Sequence, residues 1–298
     1  MTSEKIEELS YSQRERLAFI DFRAYFLGEV RRADITDHFG VATAAATRDI
    51  ALYREHAPSN IQLDQKTKVY RTTTAFEPLF HHPVDRVLAA LSQGFSEGMG
   101  KTSRPLIPCE IHRPLNVPPL SALAPISRAI FSRRAVAIEY QSYSSGRTWR
   151  EIVPFALVNN GLRWHVRCYC RKRQVFLDLV FTRVVSVGEL ESPQVLEHET
   201  PDKDIQWSRI VELELVPHPQ KPKDLETIKL DYGMQDGVLR MNVRAALVGY
   251  YLQQWFVDCS PNAALNGPEH RLWLKNYPAL YGVENSKLAP GYQQEVNT

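Results

Sequence analysis

The chain has 298 residues, more than one ordinary domain of roughly 100–200 residues holds, so two or three domains are expected. Its 44% hydrophobic and 23% charged residues match a globular chain and exclude wholesale disorder. With 36 basic and 34 acidic side chains, the formal charge is only +2, so a nucleic-acid surface has to be sought locally.

From the N-terminus, Met1 to Leu9 is polar and acidic, unlike a secretory signal, and a cytoplasmic location is expected. Leu17, Ile20, Ala24 and Leu27 share one face of a helix starting near Ser12, with Gly28 as its stop. A second short helix spans Ala33 to Phe39 and ends at Gly40, with Val41 pinning the turn. A third begins near Ala42. Its Ala46, Ile50 and Tyr53 face the first two helices, while Thr43, Thr47, Arg48 and Arg54 point away, and Thr43 is expected to cap it. Short polar or methyl-bearing side chains beside cations suit a helix in a major groove. Ile61-Gln62-Leu63 and Val69-Tyr70-Arg71 flank a polar tip that carries Lys66 and Lys68, a basic hairpin placed as a wing. The competing reading is a plain interaction domain of three short helices and a hairpin.

The run from Phe39 to Ile50, ending in Arg48-Asp49-Ile50, resembles the helix-turn-helix of DeoR-like winged regulators. That resemblance implies a winged helix-turn-helix over residues 1–77 that binds double-stranded operator DNA. Ala42 and Thr47 stand where such families often have Ser and a second Arg. His81 and His82, beside Pro83, fall in a loop without obvious partners. Residues 78–132 read as a helical and Pro-rich linker, with Pro105, Pro108, Pro114, Pro118, Pro119 and Pro125 breaking any long periodicity.

From Val136 the chain is β-rich. Val136, Ile138, Tyr140 and Ser142 alternate onto one face, Ser144-Ser145-Gly146 makes a turn, and Asn159-Asn160-Gly161 separates Arg150–Val158 from Leu162–Arg171. Trp164, Val166 and Cys168 point to the core, and His165, Arg167, Tyr169 and Arg171 to the other face. Interleaved cations and aromatics suit a phosphate with a stacked base, although a solvated sheet face fits the same pattern. The cysteines, Cys109, Cys168, Cys170 and Cys259, have no zinc spacing, so no metal is expected and reduced, buried thiols are. Near the C-terminus Val211–Leu215 reads as a strand, and Asp231-Tyr232-Gly233 precedes another. Val243–Val257 reads as a strong helix. Its apolar part from Ala245 contains Gln253 and Gln254 and is too short to cross a membrane.

The run from Val136 to Val187 resembles a WYL domain, with Trp164-His165-Val166 in place of the family tripeptide and Tyr140, Pro154, Tyr169-Cys170-Arg171 and Arg183 at matching positions. Phe181-Thr182-Arg183 stands where the family usually has Leu-Asp-Arg. The resemblance implies a multidomain α+β chain: the winged helix-turn-helix, a central β-rich Sm-like WYL barrel over 133–204, and a C-terminal α+β extension over 205–298 that mediates a homodimer. It also implies that a nucleotide or single-stranded nucleic acid binds the His165 face, with Ser142, Tyr143 and Arg183 as further lining. His165, where the family has Tyr, is expected to make the pocket sensitive to pH. No nucleophile–base pair, P-loop or G-x-S-x-G is present, so neither catalysis nor a cofactor is expected. The function expected is a repressor of its own or a phage-defence operon, relieved by the ligand; the alternative is a nucleic-acid-binding accessory subunit of a defence nuclease.

Overall fold

The computed structural model describes residues 6, 9–95, 105–111, 115–221, 223 and 225–293. Pro114 and most of the Met1–Leu9 segment lie outside them. The chain divides into two compact units, Met1–His112 and Arg113–Thr298.

In the first unit, α1 (Tyr11–Leu27) opens on a reciprocal cap: Gln13 N donates to the Ser10 hydroxyl and Ser10 N to Gln13 Oε1, both at 3.3 Å. It ends at Gly28, whose φ of 76° is the left-handed conformation that glycine adopts without strain. α2 (Arg32–Phe39) stops likewise at Gly40. α3 (Thr43–His56) packs Ala46, Ile50 and Tyr53 into a core with Leu17, Ile20 and Ala24 of α1 and Ile35 of α2. The expected Thr43 cap is not formed. Ala42 holds the cap position without a side-chain bond, and Thr43 is already helical, its carbonyl accepting from Thr47 Oγ1 at 2.9 Å.

β1 (Glu29–Val30), β2 (Ile61–Leu63) and β3 (Tyr70–Thr72) form a sheet in the order β1-β3-β2, with β2 and β3 as the hairpin. At two residues, β1 is too short to show a period of two. α4 (Val84–Gln93) follows and buries Val87.

The second unit begins with α5 (Leu120–Ser132), which continues through Pro125 instead of breaking there. A proline in this position removes a single backbone donor, and Ala122, Ile126 and Ala129 still fall on one buried face. Five antiparallel strands follow, β4 (Val136–Ser142), β5 (Gly146–Asn159), β6 (Trp164–Cys170), β7 (Val175–Val180) and β8 (Val184–Gly188). Their order is β7-β6-β5-β4-β8, so the last strand returns beside the first. Ile138, Tyr140, Ile152, Val166, Cys168, Leu179, Phe181 and Val184 pack with Ala122 and Ile126 of α5 in the core. Trp164, expected in that core, is 37% exposed at the start of β6.

The remaining chain contributes α6 (Ile205–Ser208), β9 (Ile210–Pro217), α7 (Leu225–Asp231), β10 (Leu239–Arg244), α8 (Ala245–Gln254) and β11 (Leu272–Leu274). The sheet order is β10-β9-β11. The helix expected over Val243–Val257 is shorter because Val243 and Arg244 finish β10, paired with Val211 and Ile210. Among the described residues no helix is long and apolar enough to cross a membrane.

Candidate functional site

The outward residues of α3 are presented as its periodicity requires. Thr43, Thr47, Arg48 and Arg54 are exposed, and Arg48 and Arg54 have no partner among the described residues. Asp49, next to Arg48, is turned inward. It takes Arg16 Nε at 2.7 Å and Nη2 at 3.2 Å, a two-pronged bond that fixes α3 on α1. The bond fixes the backbone of α3, so only the exposed side chains of Arg48 and Arg54 remain to be ordered when the helix meets a groove.

The hairpin tip is built by Asp64, whose carboxylate accepts from Lys66 N at 2.9 Å and Thr67 Oγ1 at 2.7 Å. These bonds, Thr67's first, hold its carboxyl below the ordinary range. Lys66 and Lys68 stand exposed on the turn. Arg71 beside them, which the sequence did not single out, pairs with Glu29 and Asp64. Lys66→Ala with Lys68→Ala is expected to weaken all duplexes about equally. It should also flatten the slope of log affinity against log salt by about 1 for every phosphate the two lysines neutralise. An unchanged slope would show that the hairpin does not touch the backbone.

The sheet face assigned to a ligand is not open. His165, Arg167 and Tyr169 are 4%, 4% and 6% exposed, because residues 196–207 and α8 cover that face. Arg167 donates Nε and Nη2 to Asp204 at 2.8 and 3.0 Å and lies 3.4 Å from Asp178. Arg171 grips Glu199 at 2.7 and 2.9 Å and also donates to the Gln194 carbonyl at 2.6 Å. Tyr169 packs edge-on against Phe176 and His198, and His165 stacks on Tyr250 with ring centroids 5.3 Å apart. Two arginines expected to hold a ligand therefore hold the cover. A strand pattern gives the face of a residue, and a long-range element decides whether that face stays wet.

Three buried or half-buried arginines of the WYL domain remain among the described residues. Arg150, Arg163 and Arg183 have no carboxylate partner among the described residues. Arg183 lies over the Tyr143 ring at 4.1 Å, and Tyr143 is 91% exposed. Arg163 keeps a buried Nε without a partner, as His165 keeps Nδ1. Arg150 is buried over the Tyr140 ring at 4.7 Å, with Ser145 Oγ and Thr148 Oγ1 both at 3.3 Å. Ser142 ends β4, its hydroxyl 3.2 Å from that of Ser144 in the turn that follows. The readable signal for Arg150 was a cation two residues before the core residue Ile152, on the same side of the strand.

Burial, then the charges of Arg163 and Arg183, press the His165 pKa down to about 4. Its imidazole is thus neutral at pH 7, and the pH sensitivity expected of the pocket falls, for this ring, near pH 4. The unfolded chain takes up a proton near pH 6.5 and the folded chain does not. Stability should therefore fall by about 2 kcal/mol through this group between pH 7 and pH 5. Unfolding measured across that range should be flatter for His165→Gln than for the native chain; equal slopes would place the titration elsewhere.

Three family models match the chain: "BrxR transcriptional regulator winged helix-turn-helix domain" over residues 12–93, "WYL domain" over 121–188, and "BrxR transcriptional regulator, C-terminal dimerization domain" over 210–280. The WYL match takes in α5, which the sequence had placed in the linker. A curated protein of Pseudomonas aeruginosa, "DNA-binding transcriptional repressor CapW", is 32% identical over 289 residues, 92% of this chain and 93% of its own. Another of the same name from Escherichia coli strain KTE188 is 30% identical over 284 residues, 92% of each. Among solved structures, the proteasome accessory factor B/C of Arthrobacter aurescens is 16% identical and covers 80% of this chain and 44% of its own, at a TM-score of 0.24.

Proposed function

Because this chain belongs to the family of the CapW transcriptional repressors, with a BrxR-type winged helix, a WYL domain and a BrxR-type dimerization domain, we propose that it is a homodimeric DNA-binding repressor released by a phosphate-bearing nucleotide or single strand. It has no catalytic role in this reading, works in the cytoplasm, and controls its own or a neighbouring phage-defence operon. α3 enters the major groove with Thr47 and Arg48 toward base edges, and Lys66 and Lys68 hold phosphate. Two such helices in a two-fold dimer meet half-sites one or more helical turns apart, roughly 34–36 Å each.

The observation that carries the release step is that the buried or half-buried Arg150, Arg163 and Arg183 of the WYL domain have no carboxylate among the described residues. Buried or half-buried cations without counter-charge favour an arriving anion. Arg163 and His165 offer unspent ring and guanidinium nitrogens to it, and Tyr143 offers an exposed ring for a base. The ligand-binding residues proposed are therefore Arg150, Arg163, His165, Arg183, Ser142 and Tyr143, with Arg167, Tyr169 and Arg171 as their support.

To release DNA the anion must favour the DNA-free state, and a coupling of about 1–3 kcal/mol would lower DNA affinity some 5- to 150-fold. The test is duplex affinity in the presence of nucleotides and short single strands, for the native chain and Arg183→Ala. Arg183→Ala should bind the duplex normally and ignore an anion that releases the native protein. Equal release of both would move the sensor elsewhere.

A further inference from the structure

A charge buried in the core of the winged helix is used by neither the proposed DNA face nor the proposed anion site. Asp21, on α1, is 0% exposed. A carboxylate in such a place is tolerated only when donors replace water, and four do. Tyr53 of α3 donates its hydroxyl to Oδ1 at 2.6 Å, and Leu79 N donates to the same oxygen at 3.1 Å. Oδ2 takes Phe80 N at 3.3 Å and His82 Nε2 at 2.8 Å. The expectation that His82 lacks a partner is thereby corrected, while His81 is exposed. The partner lies 61 residues away on α1, beyond the reach of local sequence reading.

Asn60 closes the circuit. Its Nδ2 donates to the Tyr53 oxygen at 2.9 Å and to the Glu77 carbonyl at 2.6 Å, and its Oδ1 accepts from Glu77 N at 3.1 Å. Residues 77–82, which join the hairpin to α4 within the winged-helix match, are thus tied to Tyr53 of α3 at both ends, Leu79, Phe80 and His82 through Asp21 and Glu77 through Asn60. Burial raises the Tyr53 hydroxyl well above its ordinary range, so it remains a donor. This segment cannot shift without breaking bonds to a buried carboxylate or taking Tyr53 with it. Tyr53 lies on the same short helix as Thr47, Arg48 and Arg54.

We propose that Asp21 and His82 are positioning residues, a latch through which the segment between the hairpin and α4 sets the pose of α3 on DNA. This rests on the reading of α3 as the DNA-contacting helix. It adds the joint at which a change further along the chain reaches that helix. Coupling is reciprocal, so DNA held by α3 must in turn tighten residues 77–82.

The test uses the full chain and a duplex that the native protein selects from a random-sequence pool. His82→Ala should weaken that duplex at least about fivefold without changing the salt slope, since every cation that meets phosphate is kept. His82→Gln, which keeps a donor on the side chain, should restore affinity, and His81→Ala should bind as the native chain does. Hydrogen exchange supplies the readout that stability alone would not move. The duplex should slow exchange in residues 77–83 of the native chain and of His82→Gln, but not of His82→Ala. Native-like affinity of His82→Ala, or exchange in 77–83 that ignores DNA in the native chain, overturns the latch. So does equal loss in His82→Ala and His82→Gln with an equal fall in melting temperature, which would make His82 a stabilising residue only. Arg48→Ala, measured alongside, separates the two readings: if it loses affinity while His82→Ala does not, the latch falls and the DNA face stands. If neither loses affinity, both fall.

Discussion

Arg167→Ala is expected to destabilise the second compact unit by about 3–5 kcal/mol, the loss typical of a buried ion pair deprived of one partner. Arg167 is 4% exposed, and its removal strands two carboxylates: Asp204, which it grips with two nitrogens, and Asp178 at 3.4 Å. Asp178 is already raised above the ordinary carboxylate range by burial, with Arg167 among the groups opposing that rise. Losing the guanidinium should drive it to protonate. Asp204 also caps α6 by accepting from Trp207 N at 3.1 Å, so the damage should spread to the segment that covers β6. Equilibrium unfolding followed by tryptophan fluorescence is the measurement. Arg183→Ala serves as the contrast, since Arg183 holds no carboxylate and should alter the midpoint little. A native-like midpoint for Arg167→Ala would mean that the ion pair is solvated in solution and the face open.

Thr47→Ala combined with Arg48→Ala should reduce affinity for a specific duplex by about 1–3 kcal/mol for each base no longer read and narrow the gap to random DNA. Both residues are exposed, and neither supports the fold beyond the bond from Thr47 Oγ1 to the Thr43 carbonyl. Stability should therefore be kept. The informative quantity is the ratio of specific to random affinity at fixed salt. A double variant with an unchanged ratio would take base reading away from α3.

The winged helix was legible because its signals are local. Gly28 and Gly40 end helices where the apolar period stops, and the inward positions of α3 recur at three and four residues. The strand faces of the WYL domain were legible for the same reason: Val166 and Cys168 are buried on one side of β6 and His165 and Arg167 point to the other. What covers the second side was not. Asp204 is 37 residues from Arg167 and Tyr250 is 85 residues beyond His165, and no periodicity relates them. Arg163, at the end of a turn, and Arg150, on a core face, carry no motif of their own. The spacing of Arg150 from Ile152 put a cation on the core face, but that neither arginine has a carboxylate is seen only from the ion pairs around them. The Asp21 circuit was hidden similarly, since an acid inside an apolar helix face reads as an ordinary solvated position until its four donors are located.

The join between the WYL sheet and the residues after it bears on attempts to exchange sensors between relatives. A chimera cut at residue 204 or 205 would separate Arg167 from the helix its partner Asp204 caps, and His165 from Tyr250. The graft would keep Asp178, Glu199 and Asp204 but lose α6 and α8, leaving the Arg167 ion pairs and His165 uncovered and the strand face destabilised. The transplantable piece is the span from α5 through α8, with the rest of the C-terminal sheet that supports α8, moved as a single cassette. Tolerated splice points lie at residues 115–119, which form no helix or strand.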